Sequence, residues 1–255
     1  MKITVLGCAG SAFPGHNLSS LLLNRKILFD AGSLTHVLGE KDQLTIEHIF
    51  ITHAHLDHIM GIPFLADNII AGNLRHRVTL IAIPSVARTI KKNLFNSAVW
   101  PDFTEIPNVE DSILKLVPLK IGKSIRLDEY TVIPYRVNHP VPAVGYLVED
   151  KRMRRFFFTG DTGPTDRTWK TLKGKRIHCL IIDVSFPNAM RDHAIRTGHL
   201  TPALLMDELA KIDPPPEKIY VTHLKTQHYK RIKKEVEGLR IRNVCVLRDG
   251  EEIDV

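Results

Sequence analysis

Six residues constrain this chain more than any others: His53-Ala54-His55-Leu56-Asp57-His58, between the apolar run Ile49-Phe50-Ile51 and the start of a helical periodicity. Successive side chains of an extended strand point to opposite faces, so His53 and His55, two apart, project to one side. The turn into the helix brings Asp57 and His58 to a neighbouring position. Imidazole nitrogens and carboxylate oxygens suit divalent zinc, iron or manganese. Four such donors within six residues predict halves of two adjacent metal sites, a spacing that a polar loop with surface histidines does not require.

The rest of the chain has the make-up of a globular domain. It has 255 residues, 44% hydrophobic and 25% charged, which excludes a collagenous, low-complexity or largely disordered polypeptide. With no repeat and no Gly/Ser linker, one domain over 1–255 is expected. No apolar run approaches the roughly 20 residues that span a bilayer, and Met1 to Leu6 reads as a first strand and not as a signal peptide, so a cytoplasmic protein without membrane contact is expected. Cys8, Cys179 and Cys245 are too far apart for a disulfide framework or a CxxC site. The net charge of +7 favours anionic partners. Its clusters, Lys151 to Arg155 and Lys230 to Arg242, read either as a track for a polyanion or as a hairpin tip and a solvated helix face, and the second reading is favoured.

Short β-branched and aliphatic runs predict strands at Ile3–Leu6, Ser20–Leu23, Ile27–Phe29, Ile49–Thr52 and Val78–Ile83, with a hairpin around Asn24-Arg25-Lys26. Later strands are expected at Tyr130–Val137, Gly145–Val148, Phe156–Thr159, Leu180–Val184, Ile219–Val221 and Val244–Leu247. Helical periodicity covers His58 to about Ile70, Ser85–Phe95, Thr201–Ile212 and His228–Leu239. This alternation suggests two face-to-face sheets with helices outside. Asn96–Asp111 lacks clear periodicity and reads as a lid or substrate wall, or as an ordinary connection.

His53-Ala54-His55-Leu56-Asp57-His58 resembles the HxHxDH signature of the metallo-β-lactamase superfamily. Other positions resemble that family's ligands in order: His139 in Val137-Asn138-His139-Pro140, the bridging Asp161 in Thr159-Gly160-Asp161-Thr162, and His223 in Thr222-His223-Leu224. The resemblance implies an α/β fold, a four-layer αβ/βα sandwich of two mixed β-sheets with helices on the outer faces. It implies seven ligands, His53, His55, Asp57, His58, His139, Asp161 and His223, holding two divalent metal ions, zinc first, with manganese or iron served by the same donors. Asp30, in Phe29-Asp30-Ala31-Gly32, is read as a hydrogen-bond partner of a ligand.

Asp183-Val184-Ser185-Phe186-Pro187-Asn188, Gly198-His199-Leu200-Thr201-Pro202 and Thr222-His223-Leu224-Lys225 are similar in order and spacing to class II cyclic-nucleotide phosphodiesterases, except that Asp183 stands where that class usually has glutamate. The resemblance implies a di-metal hydrolase that converts 3′,5′-cyclic nucleotides to 5′-monophosphates by attack of a metal-bridging hydroxide. Its catalytic groups would be His199, protonating the leaving 3′ oxygen while held by Asp183, and Asp57, binding metal and accepting a hydrogen bond from the nucleophile. Asn188, Lys225 and Phe186 are expected to touch phosphate, ribose or base. An endoribonuclease of the tRNA 3′-processing type is the alternative, with RNA as partner, and a diiron redox protein a more distant one. The family often dimerises, and Trp100 and Phe103 are candidates for a homodimer surface.

Overall fold

Hydrophobic runs flanked by turn residues pair into two sheets, seen in a computed structural model that describes residues 1–72 and 75–255. The strands are β1 (Lys2–Gly7), β2 (Ser20–Leu23), β3 (Ile27–Phe29), β4 (His48–Phe50), β5 (Val78–Ala82), β6 (Leu114–Pro118), β7 (Ile125–Leu127), β8 (Tyr130–Arg136), β9 (Val144–Asp150), β10 (Arg155–Phe158), β11 (Cys179–Asp183), β12 (Lys218–Thr222), β13 (Val244–Val246) and β14 (Glu252–Asp254). One seven-stranded sheet runs β14-β1-β2-β3-β4-β5-β6 and the other β13-β12-β11-β10-β9-β8-β7. In each, an antiparallel portion gives way to a parallel one: β3, β4, β5 and β6 pair in parallel in the first, β10, β11, β12 and β13 in the second.

The helices are α1 (Leu34–Val37), α2 (Glu40–Gln43), α3 (Leu56–Ile59), α4 (Gly61–Ala71), α5 (Pro84–Asn93), α6 (Arg167–Leu172), α7 (Arg191–Thr197), α8 (Pro202–Leu209) and α9 (Tyr229–Gly238). Strand alternation sorts the core. Phe156 and Phe158 belong to one apolar cluster with the first sheet, whereas Phe157 between them faces Trp169 of α6 and joins the cluster beneath α6, α8 and α9. Across the sheet interface, Phe29 meets Tyr146 and Phe156 at ring-centroid distances of 5.9 and 5.4 Å, and Phe50 meets Tyr146 at 5.2 Å. Deleting any of these buried rings costs about 3–5 kcal/mol.

The two sheets are also tied at the edge where the metal motif lies. Tyr146 Oη donates to the Ile51 carbonyl at 2.8 Å, and the Val144 amide to the Thr52 carbonyl at 3.1 Å. These bonds clamp the exit of β4 between the sheets just before His53.

The predicted helix from His58 to about Ile70 begins earlier, at Leu56, and is jointed at Met60. The Gly61 amide donates to the Ala31 carbonyl at 2.7 Å instead of continuing the helical ladder. The hairpin at Asn24-Arg25-Lys26 is present, with Asn24 and Arg25 at φ of 45° and 63°. Lys151 to Arg154 form the β9–β10 tip. On α9, Ile232 and Val236 face inward while Arg231–Glu235 and Lys233–Glu237 pair along the outside.

Three strands, β6, β7 and β14, and the short α1, α2, α6 and α7 are not among the predicted elements. One expectation is corrected: Phe103 is only 2% exposed within the main core, so it cannot form a dimer surface. The segment around it is a packed connection, held where Lys91 Nζ meets Asp102, Thr104 Oγ1 and Glu105. Trp100 is half-buried, edge-on to Phe64 at 5.2 Å. Among the described residues no helix is long and apolar enough to cross a membrane.

Candidate metal centre

Every residue expected to hold metal lies just beyond the carboxyl end of a strand, where open α/β sheets place their ligand crevices. β4 delivers the segment 53–58, β8 is followed by His139, β10 by Asp161 and β12 by His223. The ligand atoms of His53, His55, His139 and Asp161 lie within 4.8 Å of one another, as do those of Asp57, His58 and His223. Asp161 stands between the groups. Its Oδ2 is 3.6 Å from His53 Nε2, and its Oδ1 is 3.3 Å from both His58 Nε2 and His223 Nε2. Asp57 Oδ2 is 3.3 Å from His223 Nε2.

Four of the five ligand imidazoles, His53, His58, His139 and His223, are aimed by a bond at the other nitrogen, the arrangement that sets tautomer and ring direction in metal sites. His58 Nδ1 donates to Asp30 Oδ2 at 2.7 Å. His53 Nδ1 donates to Thr52 Oγ1 at 3.0 Å, and that hydroxyl donates onward to Asp30. Asp30 is fully buried at φ 56° and also accepts the Thr52 amide at 2.8 Å. His139 Nδ1 donates to the Gly198 carbonyl at 3.1 Å. Gly198 has φ 73°, and a Cβ there would lie 2.4 Å from Pro140 Cδ and 2.8 Å from His139 Nδ1, so a side chain would displace the ligand.

A second buried aspartate organises the opposite wall. Asp183 Oδ2 accepts His199 Nδ1 at 2.7 Å, and Asp183 Oδ1 accepts Ser185 Oγ at 2.6 Å. Ser185 Oγ in turn accepts His223 Nδ1 at 2.9 Å. Ser185 and Thr52 are the functional side chains that sequence reasoning missed. The only signal for them is a hydroxyl directly before His53 and another two residues after Asp183.

Electrostatics prepare these groups for cations. Burial, reinforced by His58, keeps His53 well below the usual imidazole pKa, and burial lowers His55 and His139, so all three are neutral donors near pH 7. Burial opposes ionisation of Asp161, but His223, His58 and His53 outweigh it and hold the carboxylate well below its usual range. Asp57 follows the same logic: burial opposes its ionisation, and His223 and His58 together outweigh it and lower its pKa.

His53 Nε2 and Asp161 Oδ1 are buried, aimed into the cluster and, among the described residues, without a hydrogen-bond partner. Leaving such atoms unpaired costs about 1–3 kcal/mol each. A cation shared among imidazole and carboxylate would satisfy both, so the residues fit divalent metal.

A family model described as "Beta-lactamase superfamily domain" matches residues 25–224. The chain belongs to the metallo-β-lactamase superfamily. Ribonuclease Z of Archaeoglobus fulgidus is 23% identical over 312 aligned positions, covering 100% of this chain and 97% of that protein. A probable 3′,5′-cyclic-nucleotide phosphodiesterase of Yersinia pestis is 29% identical over 66% of this chain, which spans 52% of that relative's length. Among solved structures, unliganded yeast PDE1 superposes with a TM-score of 0.81 at 18% identity over 98% of each chain. The metallo-β-lactamase fold protein YhfI from Bacillus subtilis gives 0.79 at 16% identity over 99% of each. These structures carry the α/β two-sheet fold, and the sequence relatives a hydrolase of phosphodiesters that depends on divalent metal.

The remaining predicted residues lie around the same edge. Phe186 is buried with its ring 5.6 Å from that of His199. Lys225 Nζ donates to the Gly10 carbonyl. Asn188 Oδ1 accepts the Ala203 amide at 2.8 Å in the first turn of α8, next to the Thr201 cap.

Proposed function

We propose that the protein hydrolyses 3′,5′-cyclic nucleotides to 5′-monophosphates at a two-metal centre formed by His53, His55, His139 and Asp161 on one side and Asp57, His58 and His223 on the other. The observation that carries this reading is the His199–Asp183 pair: His199 is not an expected ligand, yet a ligand atom of it lies within 4.8 Å of Asp161 and His223, and its ring is locked through Nδ1 to Asp183 at 2.7 Å. Bound divalent cations would supply charge neutralisation at the phosphoryl oxygens and a nucleophilic water at neutral pH.

His199 moves the proton. With Nδ1 committed to Asp183, its Nε2 is the free nitrogen, and it protonates the departing 3′ oxygen. Burial lowers the pKa of His199, but Asp183 prevails and raises it above the usual imidazole value, the direction a proton donor needs. Asp57, 25% exposed against 2% for Asp161, faces the opening and accepts a hydrogen bond from the attacking water. Lys225 spends one of its three protons on Gly10 and offers the others to a phosphate oxygen. Asn188 keeps its amide NH2 for a ribose hydroxyl, and Phe186 forms the wall against which a base packs.

Relatives described as cyclic-nucleotide phosphodiesterases in Yersinia pestis, Aliivibrio fischeri and Saccharomyces cerevisiae support the substrate class. A second reading, endonucleolytic processing of RNA 3′ ends, is favoured by the alignment with ribonuclease Z over the whole chain and by the +7 charge. The test is turnover of cyclic AMP, cyclic GMP, bis(4-nitrophenyl) phosphate and precursor tRNA by zinc- or manganese-loaded protein. Release of 5′-nucleotide is expected. Cleavage of precursor tRNA without cyclic-nucleotide turnover would replace the first reading by the second.

A further inference from the structure

Beyond His139, whose ring joins the metal cluster, the chain from Pro140 to Ala143 borders a separate concavity of about 640 Å³. Three cations from three elements line it: Arg88 of α5, Lys120 just beyond β6, and Arg136 at the end of β8. All three are exposed, and none enters an ion pair among the described residues. No acidic side chain is among the residues lining this concavity. Other cation-bearing hollows are balanced. Lys151 and Arg152 share theirs with Glu129, Asp150 and Asp254, and Lys170 and Lys173 share theirs with Asp166 and Asp213.

Holding like charges around one hollow is unfavourable until an anion arrives, and then each cation contributes attraction. The start of α5, at Pro84 and Ser85, opens on the same hollow with no acidic residue in its first turn and no side-chain cap, so the helix end adds to the positive field of the three cations. No aromatic ring lines the walls, and Val137 and Ala143 are buried, so a planar base finds nothing to stack on. What the hollow offers is hydrogen-bond donors: two guanidinium forks, one ammonium and the Ser85 hydroxyl. Its volume exceeds the needs of one inorganic anion, and its cations come from three directions in the fold. The match is to several anionic groups on one compact scaffold.

We propose that this concavity binds a small polyanion without bases, with phosphate-type groups on a compact scaffold, at an accessory site distinct from the metal centre. The site does not depend on which phosphodiester the metal centre hydrolyses. Because Pro140 and Pro142 already restrain the shared backbone, a ligand there braces the loop that carries His139.

The probe is inositol hexasulfate, whose sulfate esters are weak metal ligands, titrated calorimetrically into zinc-loaded protein. In R88A/K120A/R136A the Kd should rise at least about tenfold, since each lost donor to a charged group weakens binding. K151A/R152A/R154A removes the same charge from the β9–β10 tip and should keep the parent Kd. Elemental analysis should find equal zinc in all three proteins. Hydrogen exchange of the bound parent should slow across residues 136–144 and stay unchanged across 53–58. Equal losses in both variants would reduce the effect to diffuse attraction and overturn the proposal. So would an absence of binding by the parent, an unchanged Kd in the first variant, or protection confined to 53–58, which would place the probe on the metals.

Discussion

The two walls of the metal centre are built on one plan and differ in a single respect. On the first, Asp30 binds His58 directly and His53 through the Thr52 hydroxyl. On the second, Asp183 binds His199 directly and His223 through the Ser185 hydroxyl. Each wall is thus a buried carboxylate, a hydroxyl relay and two imidazoles. On the first wall both imidazoles are expected ligands, whereas on the second His223 is one and the other, His199, is the proposed proton donor. The comparison teaches that a single hydrogen-bonding device can orient imidazoles for two tasks.

The harshest way to break this parallel is Asp30→Ala, which strands a fully buried His58 and removes the support of Thr52. Losing one partner of a buried ionic pair costs about 3–5 kcal/mol. Chemical denaturation should show a loss of that order together with failure to retain both metals. If the first wall keeps its metals at full occupancy in this variant, the role given to Asp30 is wrong.

His199→Ala should act on the reaction and not on the metals. A fall in kcat of roughly 10²–10⁴-fold is expected, with two metals per chain still found by elemental analysis. An unchanged rate would remove His199 from the chemistry, and lost metal would mean that the two walls are less different than the geometry indicates.

The hydroxyl relays sharpen the parallel further. Thr52→Val and Ser185→Ala each leave a ligand imidazole without its outer partner and should weaken metal affinity by about 10–100-fold. Competition with a chelator reads both. Similar losses are expected, since the relays stand in equivalent places.

The smallest effect concerns pH. Asp183 raises the pKa of His199, so Asp183→Asn should lower it. A general acid works only while protonated, and activity falls as pH rises through its pKa. The alkaline limb of the kcat profile should therefore move to lower pH in the variant, with Asp57→Asn producing no such shift of that limb. A limb that stays in place would assign it to another group.

How much of this was legible beforehand follows from sequence distance. The first wall's ligands sit within six residues, and the two-residue period of a strand followed by a helical turn is enough to gather them. His139, Asp161, His199 and His223 are scattered over 85 positions of the chain, and only their order in a family resemblance linked them. Thr52 and Ser185 were marked only by their places beside His53 and Asp183, because a buried hydroxyl becomes a relay only when an aspartate 22 residues away, or a histidine 38 residues away, is brought to it. The unforeseen strands have a similar cause. Glu252–Asp254 is a strand because it pairs with Lys2–Thr4 at the other end of the chain, and Ile125–Leu127 because Tyr130–Val132 lies antiparallel to it. Phe103 looked available for a partner until folding placed it in the core.

By itself the sequence determined the local chemistry: which side chains can ligate, where strands end in turns, and the alternation that sends Phe156 and Phe158 to one face and Phe157 to the other. Tertiary structure alone decided that Asp161 stands between two ligand groups and that hydroxyls pass bonds between aspartate and imidazole. The reason is physical. Local preferences act over a few residues, whereas hydrogen bonds and charge interactions among groups far apart in the chain exist only after burial of the two apolar sheet faces has brought their strand ends together.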